Sequence, residues 1–188
     1  MNNLEQIPSA WKGHKPFANW LIDHFQPKVT VDLGVDYGYS SFVFSQNNSG
    51  IVFGIDLFKG DEHTGFRDSL DFVKKKIKEY NITNLQLIKG DFKEVSEFWT
   101  LPIDILHIDG LHTYEAVSSD YHSWAEFVQP NGIILFHDTQ AFPDTVGKFF
   151  LELPFEKINF EHSAGLGIVS QNSNIIRFIS HKFNLKII

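Results

Sequence analysis

The stretch "HIDGLHTYEAV", which begins at His107, follows the apolar run Ile103 to Leu106 and sets Asp109 and His112 three residues apart. A carboxylate and an imidazole at such a spot can hold a cation and accept a proton. Both are useful when a weakly acidic hydroxyl has to become a nucleophile, and histidine suits proton transfer because its ordinary pKa lies near neutrality. A second run, "IILFHDT" from Ile133, closes on His137, Asp138 and Thr139. Asp109 and Asp138 are the pair expected to ligate a hard cation, Mg²⁺ foremost. Plainer roles stand beside these: Asp109 as a helix cap, and His107 and His137 as hydrogen-bonded residues within strands.

Three other runs end in groups suited to a nucleoside. "VDLGVDYGYSS" from Val31 holds Asp32, Gly34 and Gly38 in a D-x-G-x-x-x-G pattern, in which glycine permits a tight turn and close approach of a ligand to the main chain. An ordinary glycine turn has the same appearance. Asp36 occupies the place where a dinucleotide fingerprint needs glycine, and its carboxylate would repel a diphosphate. A ligand without phosphates, bearing a cationic centre and an amino-acid tail, is the better match. Asp56 closes "IVFGID", where an acidic side chain can accept from both ribose hydroxyls. Asp91 and Phe92, in "GDF", can bond and stack an adenine, or equally cap a helix and fill the core. Asp61 and His63, in "KGDEHTG", are expected to border an acceptor.

These residues need a frame that brings strand ends together. "VTVDLG", "IVFGID", "LQLIKG", "IDILHID" and "IILFHD" are short apolar runs closing on glycine or aspartate, as parallel strands covered on both faces do. Helical patterns alternate with them: Asn19 to Phe25; Phe66, Leu70, Val73, Ile77 and Tyr80; and Tyr114, Val117, Tyr121, Trp124 and Val128. This predicts a Rossmann-like, doubly wound α/β sheet whose ligands bind beyond the carboxyl ends of the strands. After Phe155, "FEKINFEHS" and "LGIVSQNSNIIRFI" read as strands without a helix between them, which predicts an antiparallel hairpin at one edge.

With 188 residues, 43% of them hydrophobic, the chain is expected to form one domain over residues 1–188, with residues 1–28 as an N-terminal helical segment or lid. In that segment Trp11, His14, Phe17 and Trp20 could cover an acceptor, meet a second copy in a homodimer or support the sheet; Phe17 and Trp20 fit helix packing. Cysteine is absent, so disulfides and thiolate chemistry are excluded. A net charge of -7 argues against nucleic-acid binding, and the lysines of "VKKKIK" fit the wet face of a helix. The opening "MNNLEQIPSAWKGHKPF" has neither the basic start nor the apolar stretch of a secretion signal, and no later run reaches membrane-spanning length. A soluble, cytoplasmic protein without membrane partners is expected.

The series "VDLGVDYG", "GIDLFKGDEHTG", "LIKGDF", "IDILHIDGLHTYEAVSSD" and "NGIILFHDT" resembles class I S-adenosylmethionine-dependent methyltransferases. It is most similar to the small branch holding macrolide sugar O-methyltransferases and glycan-associated methyltransferase domains, over roughly Val29 to Ser170. The resemblance implies a seven-stranded sheet with Asp32, Gly34 and Gly38 along the methionine part of S-adenosyl-L-methionine, Asp56 on the ribose, and Asp91 with Phe92 about adenine. Leu57 and Phe58 depart from the threonine and tryptophan that many relatives carry there. It further implies O-methylation of a sugar or other small-molecule hydroxyl, His112 as base, and Mg²⁺ on Asp109 and an acidic pair beginning at position 138, whose second member is here Thr139. Two alternatives accompany this reading: a catalytically silent binding module on the cofactor fold, and a nicotinamide-dependent oxidoreductase, which the first glycine motif fits poorly.

Overall fold

In the computed structural model, which describes residues 4–62 and 65–188, the apolar runs form one seven-stranded sheet. Its strands are β1 (Val29–Leu33), β2 (Ile51–Asp56), β3 (Leu85–Lys89), β4 (Ile103–Ile108), β5 (Val128–His137), β6 (Lys157–Phe160) and β7 (Leu166–Val169). They lie in the order β3-β2-β1-β4-β5-β7-β6. The first five run parallel, and β7 is antiparallel to both β5 and β6. The edge hairpin is therefore present. Strand order reverses between β1 and β4, and the crevice that such a reversal opens lies beyond the ends carrying Asp32, Asp56 and Asp109.

Alternation along the buried strands sends side chains into two cores. Val31, Leu33, Leu106, Ile108, Ile134 and Phe136 pack on one face, with Val117 and Trp124 of α5 (Tyr114–Trp124). Ile105, Ile133 and Leu135 face the other way, toward α1 (Lys15–Phe25), α2 (Tyr39–Ser45), α3 (Leu70–Glu79) and α7 (Ser173–Phe183). The short helices α4 (Phe92–Ser96) and α6 (Lys148–Glu152) complete the covering layers. Before α1, two 3-10 turns, Leu4–Gln6 and Ala10–His14, bury Leu4, Ile7 and Trp11 in the second core. Among the described residues no helix is long and apolar enough to cross a membrane.

Several expected boundaries move. α1 starts at Lys15, with Pro16 in its first turn, where a missing amide hydrogen costs no bond. Phe66 lies outside α3 and is 81% exposed. Val128 opens β5 instead of ending a helix. The stretch after Leu166 divides: β7 stops at Val169, and Asn172 caps α7 by accepting from the Asn174 amide. Ile176, Ile179 and Phe183, at helical spacing, then turn inward. That helix escaped a reading based on apolar runs because its face is interrupted by polar residues.

The end of β1 is pressed against the end of β4. Gly34, with φ of 100°, lies so close to Asp109 that a Cβ on it would stand 1.9 Å from the Asp109 carbonyl oxygen. Gly34→Ala should therefore lower unfolding stability by about 3 kcal/mol or more, from backbone strain and overpacking together. Urea denaturation of the variant checks this; an unchanged midpoint would mean that the two loops are not locked together.

Candidate active site

The crevice is a cavity of about 560 Å³, within the range of small-molecule sites. Its walls come from the ends of all five parallel strands and from Pro8, Ser9 and Ala10 of the N-terminal segment. At one end Asp109, His112, His137 and Asp138 gather; at the other are Asp56, Asp91, Phe92 and Asp120.

The first group is a compact set of charges. His137 Nδ1 lies 3.2 Å from Asp109 Oδ1 and 3.1 Å from Asp138 Oδ2, while His112 Nε2 lies 2.6 Å from Asp138 Oδ2 and 3.8 Å from Asp109 Oδ1. Burial opposes a charge on His112, but the two carboxylates outweigh it and hold its pKa at about 9. The same contest leaves His137 at about 10. Burial likewise pushes Asp109 and Asp138 upward, and the two imidazoles outweigh it, holding both carboxyls below their ordinary range. At neutral pH the set is thus two carboxylates and two imidazolium ions, a self-balanced quartet.

Local geometry fixes each member. Asp138 has φ of 62°, a left-handed conformation that Asp tolerates better than most residues and that turns the chain sharply after β5. Thr145 Oγ1 donates to the His112 carbonyl at 2.7 Å, and the His112 ring stacks on Phe142 at 4.3 Å. The Ser163 carbonyl accepts from Nε2 of His137 at 3.1 Å and from Nε2 of His14 at 3.0 Å, so His137 presents Nδ1 to the carboxylates. Burial, and then the charge of His137, depress His14 to about 3, so it stays neutral.

The donor set also fits a divalent cation. One ligand atom from each of Asp109, His137 and Asp138 lies within 4.8 Å of the others, and a histidine whose second nitrogen is tied to a carbonyl has the outer-sphere support that metal ligands use. Thr139 takes no part. Its hydroxyl donates to Asn159 Oδ1 at 2.8 Å, and the third ligand atom comes from His137, on the other side of Asp138 in sequence.

At the other end, Asp56 accepts from the Asp36 amide at 2.9 Å and from the Phe58 amide at 2.6 Å, and burial raises its pKa. Its carboxylate still lines the cavity. Phe92 does too, beside Asp91, whose Oδ1 caps α4 by accepting from the Lys93 and Glu94 amides. Asp61 and Leu57 line the wall near Asp56, whereas Phe58 is buried; His63 lies outside the described residues.

Two residues expected along the ligand are elsewhere. Asp32 is fully buried behind the wall, where it accepts from Ser40 at 2.8 Å and from Ser41, and meets His107 Nδ1 at 2.6 Å. Strand alternation turns it into the sheet face. Gly38 is also buried, and a Cβ on it would strike the Phe42 ring at 2.6 Å; its role is packing and a left-handed turn before α2. Gly34 does line the cavity. Asp36 is paired with Arg67, whose Nε donates to it at 3.0 Å, so its charge is already matched within the protein. Asp109 caps no helix; Thr113 does that for α5. His107 has the in-strand role, accepting from Trp11 Nε1 at 3.0 Å.

Comparison with known proteins agrees with this fold. The family described as "Methyltransferase domain" matches residues 31–139, more than half of the chain. An uncharacterized protein of Sinorhizobium fredii is 31% identical over 174 residues, which cover 86% of this chain but 19% of that protein. The chain thus spans about a fifth of that relative's length. Among solved structures, a methyltransferase from Geobacter sulfurreducens has a TM-score of 0.67 at 14% identity, covering 84% of this chain and 78% of that one. The O-methyltransferase TomG from Streptomyces achromogenes, involved in tomaymycin synthesis and solved with SAM, has a TM-score of 0.66 at 12% identity, covering 90% and 91%. The SAH-bound methyltransferase PaMTH1 of Podospora anserina scores 0.64 at 13%, covering 88% and 89%.

The quartet should make stability depend on alkaline pH. Both histidines have folded-state pKa values above the ordinary 6.5, so their contribution is complete below about pH 6.5 and is withdrawn as pH rises through about 9 to 10. In chelator, the melting temperature should fall across that interval, and His137→Asn should flatten the fall. A flat wild-type profile would show that the quartet does not carry these charges.

Proposed function

Because the chain belongs to the methyltransferase-domain family, we propose that it transfers the methyl group of S-adenosyl-L-methionine to a hydroxyl oxygen of a small acceptor, a sugar or glycan hydroxyl first among them. The observation that carries this reading is one cavity with an acidic and aromatic end and an end built of two carboxylates and two histidines, at the reversal point of the sheet. The O-methyltransferase among proteins of like fold supports the choice of oxygen, and the resemblance of the "HIDGLHTYEAV" segment to sugar methyltransferases supports the acceptor class.

The division of labour follows from the walls. The Asp56 carboxylate accepts from the donor's ribose hydroxyls, and Phe92 packs against its heterocycle. Gly34 leaves room for the donor's methionine part against the main chain. When bound, S-adenosylmethionine supplies a methyl group already activated by its sulfonium. The protein therefore has to hold the acceptor oxygen in line and dispose of its proton. His112 is the residue assigned to that proton, with Asp138, 2.6 Å from its Nε2, holding the resulting imidazolium. Asp61, in the wall near Asp56, is assigned to the acceptor by the resemblance alone.

A divalent cation on Asp109, His137 and Asp138 would supply Lewis acidity toward the acceptor oxygen. An imidazole among the ligands favours Mn²⁺, Fe²⁺ or Zn²⁺ over Mg²⁺, which prefers all-oxygen sets. His112 becomes competent as a base only in its neutral form, so metal-free turnover should rise with pH and level off near 9.

His112→Ala should lower kcat by about 10²- to 10⁴-fold while leaving the dissociation constant for S-adenosylhomocysteine unchanged. Asp56→Ala should weaken that binding about tenfold or more. Calorimetry paired with a methyl-transfer assay on a sugar panel separates the two; equal loss of donor binding in both variants would refute the division. Added Mn²⁺ should move the pH–rate midpoint to lower pH, and a profile unmoved by Mn²⁺, Mg²⁺ or chelator would remove the cation from the reaction.

A further inference from the structure

Among the described residues, Asp120 has no hydrogen-bond donor for its carboxylate. It lies on α5, one turn beyond Ala116, and both face the cavity. The residue is 9% exposed, and no described residue hydrogen-bonds or ion-pairs with its side chain. The other acids of the cavity are served: Asp56 by two main-chain amides, Asp91 by the first turn of α4, and Asp109 and Asp138 by histidines. Burial, and then the charge of Asp91, push the Asp120 carboxyl up to about 7, with no donor among the described residues to offset them.

Its position says what is missing. A Cβ built on Gly110 would stand 2.8 Å from the Phe92 ring and 2.9 Å from Asp120 Oδ2, so the aromatic edge and the carboxylate meet over a residue with no side chain. That is a slot for a flat ring with a hydrogen-bond donor at its edge. Asp91, the other acid there, is exposed and already engaged as a helix cap.

We propose that Asp120 recognises the donor's 6-aminopurine, its carboxylate accepting a hydrogen bond from the exocyclic amine, and that it thereby selects adenosyl over inosyl donors. This rests on the donor reading given above. Above about pH 7, where Asp120 is ionised, a carbonyl in place of the amine would face the carboxylate with a second acceptor and without a donor between them.

The test is calorimetric titration of wild type, Asp120→Asn and Asp120→Ala with S-adenosylhomocysteine and with S-inosylhomocysteine, alongside ligand-free melting temperatures. Wild type should prefer the adenosyl ligand by about tenfold or more. In Asp120→Asn, whose amide can turn its donor toward the purine carbonyl, the preference should shrink to within about threefold. Asp120→Ala should lose about tenfold in adenosyl affinity and little in inosyl affinity. Both variants should melt no lower than wild type, because an uncompensated carboxylate has been removed. Wild-type discrimination retained in both variants would overturn the proposal, as would a lowered melting temperature with equal loss of both ligands, the mark of a structural role. Failure of wild type to bind S-adenosylhomocysteine would instead overturn the donor reading, and the role of Asp120 with it.

Discussion

The hydrogen bond between Asp32 and His107 joins β1 to β4 at the one place where the sheet reverses order, and much of the site is built outward from it. The two residues are cross-strand partners in the parallel register, and both are fully buried. Neither leaves an open valence. Asp32 takes Ser40 and Ser41 from the first turn of α2, and His107 accepts from Trp11 in the N-terminal segment. Because unpaired polar groups at such depth are costly, the pair and its partners stand or fall together. One buried contact thus sets the spacing of two strand ends, the seat of a helix and the placing of the segment that walls the cavity.

Beyond that pair the site is a contest between two ways of compensating acid. In the quartet, Asp109 and Asp138 are balanced by protons on His112 and His137. A cation would supply the same compensation and release the proton on His137 Nδ1, because a ligating imidazole must be neutral. The two occupancies are mutually exclusive at His137 Nδ1, which cannot carry a proton and a metal at once. Chemistry at the acceptor end is therefore tied to the electrostatics that also hold the ends of β4 and β5 together.

The parallel strands were legible because doubly covered strands must be continuously apolar, and their ends because aspartate and glycine interrupt the run. Function and architecture share those ends, which is why Asp56, Phe92, Asp109, His112 and Asp138 all reach the cavity. Orientation was harder to read. The glycine motif suggests a wall position for Asp32, but Val31 and Leu33 on either side, facing one core, place it on the opposite face. His137 is a hydrogen-bonded strand residue, as its run implies, and only the register, Ile108 beside Phe136, shows that the next pair, Asp109 and His137, lies side by side at the cavity. Asp120 sits among the apolar positions of α5 and carried no motif. Its meaning appears only when every other acid in the cavity has found a partner.

The turn between β6 and β7 has a consequence for how such a site tolerates genetic drift. It delivers the Ser163 carbonyl to His14 and His137 through three successive left-handed residues, Ser163, Ala164 and Gly165. What the histidines require there is a main-chain oxygen, which every amino acid possesses. The side chain of residue 163 therefore adds nothing to this contact beyond tolerating its left-handed φ of 50°. The sharper demand is at Gly165, where any Cβ would stand 2.4 Å from Thr139 Oγ1. An active-site constraint is thus displaced two codons along the gene, onto a residue that touches no substrate.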